Sequence, residues 1–200
     1  DIDQRLFTVS FSTDGTKLIA GGFLSKHKKG KWWRQIRVWE AQGKGSYTDY
    51  SAAGNSITDI KSLPDRNILY GGAQPDWGIL NVQSREKQRY KSAELLNFRA
   101  KDRTHFKLSR AGFEVGVKPL NESPLTFDIG NRQIENRVSN MPAYRAEWGG
   151  LKATNWEGTY HPKLNGQSLS FLENYERCRS VDISKDRQSV VFGAQFGAYK

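Results

Sequence analysis

The sequence predicts an all-β fold assembled from repeated four-stranded units. Three observations predict it. A strand-turn-strand-glycine pattern recurs as "LFTVSFSTDGTKLIAGGF", "SITDIKSLPDRNILYGGAQ", "THFKLSRAGFEVGVKPL" and "CRSVDISKDRQSVVFGAQF". With Phe11, Ile60, Leu108 and Ile183 superposed, the spacings are 49, 48 and 75 residues, the last lengthened by about 27. No segment keeps a helical period over about 11 residues; "SAELLNF" allows a single turn at most.

Each unit reads as four strands in order. Phe7, Val9 and Phe11 alternate and put apolar side chains on one face of a first strand. Turn chemistry follows at Asp14-Gly15 and at Pro64-Asp65. Denser apolar runs make the second strands: Leu18-Ile19-Ala20, Ile68-Leu69-Tyr70 and Val190-Val191-Phe192. Gly21, Gly71, Gly116 and Gly193 fall at nearly constant offsets and are expected to be equivalent on those strands, where neighbouring units crowd together. Third strands read "QIRVWEA", "WGILNVQ" and "PLTFDIG", and more polar fourth strands read "GSYTDYS", "EKQRYKS" and "RQIENRV".

Four short strands at this period are the signature of β-propeller blades, with an open β-sandwich as the rival. A single blade has two faces to cover and covers neither alone; stacking around an axis buries both. The expected organisation is a partial propeller of three blades plus the start of a fourth. Its units are residues 1–50, 51–98 and 99–140, an insertion at 141–178, and an incomplete unit at 179–200. Propellers hold about 4–8 blades. The expectation is therefore a piece of a longer chain, with other blades of the parent as neighbours and an open edge from Val190 to Lys200.

"TVSFSTDGTKLIAGG…IRVWEA" and "SVDISKDRQSVVFGA" resemble WD-repeat blades, and the resemblance covers most of the chain. It departs from the family pattern where no Gly-His precedes the first strands, and where third strands end in Trp39-Glu40 or Leu80-Asn81 instead of Trp-Asp. The run "NWEGTYHPKLNGQSLSFLENYERCRSVDIS" resembles segments in WD-repeat arrays of large bacterial proteins, some of which carry a caspase-like peptidase domain. The resemblance implies a protein-interaction scaffold with a protein partner, or the regulatory region of such a peptidase.

Composition narrows the function classes. Charged residues are 26% and aromatics 12%, so the chain is of globular type. No apolar stretch reaches the roughly 20 residues that a membrane-spanning helix needs. The lone Cys178 makes an internal disulfide framework impossible, and a reducing, cytoplasmic location is the simpler expectation. A net charge of +10 attracts anions of any kind: nucleic acid, acidic lipid or an acidic protein face. No CxxC, HExxH or calcium-loop pattern occurs, and no cofactor or metal is implied. A Cys178–His161 dyad is conceivable for a peptidase, but "ERCRSV" leads straight into a strand and lacks a nucleophile signature. No catalytic residue is assigned to this region.

Two stretches read as surfaces. "LSKHKKGKWWRQ" carries Lys26, Lys28, Lys29, Lys31 and Arg34 without an acid, together with Trp32 and Trp33. It reads either as a solvated hairpin extension or as a projecting loop that binds an anionic partner. The insertion holds Trp148 and Trp156, and reads either as a decorated connection or as a second binding surface. The function expected is a rigid interaction scaffold. The alternatives are a non-catalytic polyanion or nucleic-acid binder acting through the basic loop, and an enzyme whose site is assembled from distant blades.

Overall fold

A computed structural model describes residues 5–63, 66–72, 76–90, 107–108, 114–117, 125–128, 133–135, 147–156, 158–172, 176–194 and 197–199. The described residues form five antiparallel sheets, each a meander in chain order. The first is β1 (Leu6–Phe11), β2 (Leu18–Lys28), β3 (Lys31–Trp39) and β4 (Tyr47–Ala53). The second is β5 (Ile57–Ser62), β6 (Asn67–Gly72), β7 (Asp76–Asn81) and β8 (Lys87–Tyr90). The third is β9 (Lys107–Leu108), β10 (Glu114–Val117), β11 (Leu125–Asp128) and β12 (Gln133–Glu135). The fourth is β13 (Glu147–Trp148), β14 (Leu151–Thr154), β15 (Lys163–Leu164) and β16 (Gln167–Ser168). The fifth is β17 (Cys178–Ile183), β18 (Val190–Ala194) and β19 (Ala198–Tyr199).

Residues 147–168, expected as part of an insertion, thus fold as a sheet of the same order as the others. Its strands are two to four residues long, too short to carry a period-2 signal.

The repeat is visible in register. Thr8 faces Gly21, Asp59 faces Gly71, Lys107 faces Gly116 and Ser180 faces Gly193. Three of these pairs adjoin a bulge in the first strand, between Leu6 and Thr8, Ile57 and Asp59, and Cys178 and Ser180. The superposition of Phe11 on Ile60 is corrected by two residues. Phe11 pairs with Leu18 and Ile183 with Val190, whereas in β5 it is Ser62 that pairs with Ile68. Ile60 and Leu108 stand where Val9 does. A two-residue slip leaves every side chain on its original face, so the apolar pattern cannot detect it.

Packing follows from two-faced strands. One face of the first sheet, with Ile19, Ile36 and Val38, meets Ile57, Ile60, Ile68, Tyr70 and Leu80 of the second. Its other face, with Val9, Phe11, Leu18 and Ala20, meets Val191 of β18. The far side of the fifth sheet, with Val181, Ile183 and Phe192, packs on Ala153, Trp148 and Trp156. The two faces of the sheet at 178–199 are therefore covered, one by the first sheet and the other by residues between 147 and 172; β19 remains its edge strand. Gly21 permits a close approach of the second sheet: a Cβ there would lie 2.7 Å from both Ile57 Cγ2 and Ile60 Cδ1. Gly193 of the fifth sheet repeats the arrangement against the first, 2.8 Å from Val9 Cγ1.

The first strands β17, β1 and β5 lie side by side, with β1 in the middle. They share no ladder, and side chains supply the missing hydrogen bonds. Asp182 accepts from the Phe11 N–H at 2.7 Å and from the Ser10 hydroxyl at 3.2 Å. Thr8 Oγ1 accepts from the Ile60 N–H at 3.1 Å, and Ser62 donates to the Phe11 carbonyl at 2.6 Å. Asp59, 1% exposed, takes the Ile60 N–H on Oδ1, while its Oδ2 has no hydrogen-bond partner among the described residues. Burial pushes its carboxyl up to about 6, with Lys61 at 3.5 Å pulling the other way.

Two outcomes follow for stability. Gly21→Ala forces Ile57 and Ile60 apart and is expected to cost about 1–3 kcal/mol in urea unfolding; a neutral result would place the sheets further apart than described. The unfolded chain releases the Asp59 proton near pH 4 and the folded chain near pH 6. The folded state holds the extra proton between those values, so stability declines as pH rises through that window, on the order of 3 kcal/mol in total. Asp59→Asn is expected to flatten that decline in urea midpoints taken from pH 4 to 7, and an unchanged slope would assign the titration to another group. Asp14 acts in a separate window. Hydrogen bonds from the Ser12 hydroxyl and from the Thr16 backbone hold its carboxyl at about 2, so its contribution is lost only below pH 4.

Candidate functional site

The basic stretch is a hairpin, not a loop. Lys29 and Gly30 both have positive φ, 52° and 73°, which is the two-residue turn whose twist matches flanking strands. The ladder runs Ser25 to Arg34, Lys26 to Trp33, His27 to Trp32 and Lys28 to Lys31. β4 reaches only as far as Arg34, so the pairs beyond it form a two-stranded ribbon that projects past the sheet.

Cross-strand partners share a face, and the faces alternate. One face carries His27 and Trp32, with ring centroids 5.2 Å apart and Trp32 56% exposed. Arg34 belongs to that face but turns to the base of the hairpin. Its guanidinium lies 3.7 Å from the Phe23 ring centroid and donates to the Phe23 carbonyl at 3.3 Å and to the Ser25 hydroxyl. Arg34 is thus separated from the lysines with which the sequence grouped it.

The other face carries Lys26, Lys28, Lys31 and a half-buried Trp33. Here the second sheet enters the site. Lys87 Nζ lies 4.0 Å from the Trp33 ring centroid, and Arg89 lies 5.3 Å from it. Lys87 also donates to the carbonyls of Ser51 and Ala52, at 3.1 and 3.3 Å. The result is an open groove of about 450 Å³ lined by Lys28, Lys29, Lys31, Trp33, Ser51 and Lys87. The lining holds four ammonium groups and no acid.

Neighbouring cations are treated differently. Arg37, on the same strand, is clamped by Asp49 through two hydrogen bonds of 2.7 and 2.8 Å, which raise its pKa further. Lys17 pairs with Glu40. Lys26, Lys28, Lys29 and Lys31 have no ion pair among the described residues. Lys28 and Lys31 face each other across the ladder with Lys29 between them, an arrangement of like charges that destabilises a hairpin.

The remaining sequence candidates lie elsewhere. Trp148 and Trp156 are half-buried against the fifth sheet, and Trp148 carries the Arg187 guanidinium at 5.6 Å. Both serve the packing between layers and are not brought to the hairpin. Cys178 is buried, and desolvation pushes its thiol up to about 12, so it is a neutral thiol near pH 7. No group of three or more metal-ligating side chains occurs among the described residues. No helix there is long and apolar enough to cross a membrane. Sequence reasoning missed Lys87 and Arg89. Their i, i+2 spacing on a fourth strand already placed them on one face, but nothing local says which neighbour that face meets.

No protein-family model and no curated protein matches the chain. Among solved structures, the computationally designed Ika4 protein is similar at 12% identity, with 98% of this chain and 91% of that chain covered and a TM-score of 0.48.

The two tryptophans are expected to separate experimentally. Trp33→Ala removes the surface over which Lys87 and Arg89 lie and is expected to cost about 1 kcal/mol or more in chemical unfolding. Trp32→Ala is expected to stay within about 0.5 kcal/mol of the parent, while removing the indole that is most open to acrylamide quenching among the described residues. Equal costs would contradict the facing assigned here.

Proposed function

We propose that the chain is a propeller-type recognition scaffold that binds an anionic partner through its cationic hairpin. The propeller arrangement is supported by the packing of the last sheet on the first, by the alignment of first strands β17, β1 and β5, and by the repeated glycine contacts. Radial stacking of this kind buries both faces of each sheet and yields a rigid body on which projecting segments recognise.

The observation that carries the binding role is the unneutralised row at the hairpin tip. A fold that pairs Arg37 with Asp49 and Lys17 with Glu40 leaves Lys28, Lys29 and Lys31 together without an acid. A local rule broken without compensation inside the fold points to compensation from outside it. An anionic partner relieves the repulsion and releases counterions. The role is non-catalytic, and the buried, neutral Cys178 thiol fits that reading.

Heparin serves as a probe. Changing Lys26, Lys28, Lys29 and Lys31 together to Ala is expected to lower affinity at least about tenfold at low salt. It is also expected to make the salt dependence shallower by about one unit of slope for each lysine in contact. Unchanged affinity at low salt would remove the hairpin from the binding surface.

A further inference from the structure

We infer that the groove beside Trp33 is a subsite for phosphoryl groups, held by Lys28, Lys31 and Lys87, and that the hairpin's ligand is a phosphate-bearing chain which does not stack bases. This rests on the anion-binding reading above and adds the chemistry of the anion.

The donors decide the class. They come from three strands and two sheets: Lys28 from β2, Lys31 from β3 and Lys87 from β8. All are ammonium groups, compact point charges; Lys87 gives two of its donors to carbonyls of β4 and contributes its charge to the groove. The lining holds no guanidinium: Arg34 is on the opposite face of the ribbon, and Arg89 lies against the Trp33 ring at 5.3 Å. Lysines bind phosphate as point charges, without the planar two-point geometry of a guanidinium. Ser51 adds no competing geometry, since its hydroxyl donates to Gln35 Oε1 at 3.3 Å. Clustered ammonium groups reward charge density. A phosphoryl group carries up to about two negative charges and three acceptor oxygens, and satisfies them better than a carboxylate with one charge.

Lys87 makes the subsite preorganised. Its ammonium is fixed by two carbonyls of β4 and by the Trp33 ring, so little side-chain entropy remains to be lost when an anion arrives. The same contacts argue against nucleobases. The Trp33 ring already carries Lys87 and Arg89, while the exposed indole, Trp32, lies on the opposite face of the ribbon. A ligand with phosphates in the groove cannot also stack on Trp32 from that side. The groove, at about 450 Å³ and open, admits several linked phosphoryl groups.

The test uses inorganic tripolyphosphate, citrate and a thymidine oligonucleotide, each at matched ionic strength. Binding is followed by the NMR resonance of the Trp33 indole N–H, identified by its loss in Trp33→Phe. Tripolyphosphate is expected to move that resonance and to bind at least tenfold more tightly than citrate. Lys87→Gln is expected to weaken it at least fivefold, as is the double change Lys28→Gln with Lys31→Gln, while Arg34→Gln leaves it unchanged. Because Lys87 also supports β4, the double variant, confined to exposed positions, decides the matter if Lys87→Gln unfolds. Equal affinity for citrate would overturn the phosphoryl assignment, as would an unaffected double variant. Tighter oligonucleotide binding that depends on Trp32 would replace it with nucleic-acid recognition. Heparin binding that is lost with the lysines, without a preference for tripolyphosphate, would sink this inference alone. Heparin binding that survives their loss would sink the reading on which it rests.

Discussion

Every sheet begins with a strand that has a ladder partner on one side only, and the structure depends on how the other side is satisfied. Buried backbone N–H and C=O groups left without partners cost about as much as lost hydrogen bonds. β1, β5 and β17 are neighbours that share no ladder with one another. Side chains do the work instead: Asp182 reaches the Phe11 N–H, Thr8 the Ile60 N–H, and Ser62 the Phe11 carbonyl. Each of these bonds crosses from one sheet to the next, so the bonds that satisfy the first-strand edges also fix which of these sheets are neighbours.

That crossing requires close approach, which explains the second strands. Gly21 and Gly193 have no side chain, and Ile60 and Val9 of the following sheet occupy the space a Cβ would take. The polar first-strand positions and the glycines are two halves of one device. Asp59 shows its cost. In the first and fifth sheets the equivalent positions hold Thr8 and Ser180, whose neutral hydroxyls cost less to bury than a carboxylate. In the second sheet a carboxylate sits there, ionising only near pH 6.

At the opposite edge of the first sheet, strand β4, the same constraint creates the candidate site. β4 leaves its carbonyls at Ser51 and Ala52 facing the second sheet. Tyr70 donates to the Ala52 carbonyl at 3.2 Å, and Lys87 donates to both. Lys87 is therefore an edge-capping residue whose ammonium lies beside Trp33. The cationic groove arises where a packing solution meets a hairpin that is longer than its sheet. Trp33 joins the two, half-buried under cations from the neighbouring sheet, while Trp32 on the opposite face stays exposed.

The sequence by itself determined whatever is encoded within about ten residues. Ser12 and Asp14 align with Ser184 and Asp186, and their turns close with the same hydrogen bonds at nearly the same lengths, 2.5 Å within each pair and 3.0 Å to the backbone two residues on. The strand identities, the glycine positions and the opposite facing of Trp32 and Trp33 belong to the same class, because turn chemistry and period-2 alternation are local. Tertiary structure alone decided the rest. Ile60 was misplaced by two residues because that slip preserves the face of every side chain. The sheet at 147–168 was hidden because strands of two to four residues are too short to show a period. Trp148 and Trp156 resembled a surface until the fifth sheet covered them. Lys87, the residue that makes the groove a site, is far from Trp33 in sequence and meets it only when two sheets stack; no local pattern records which sheet a given face will meet.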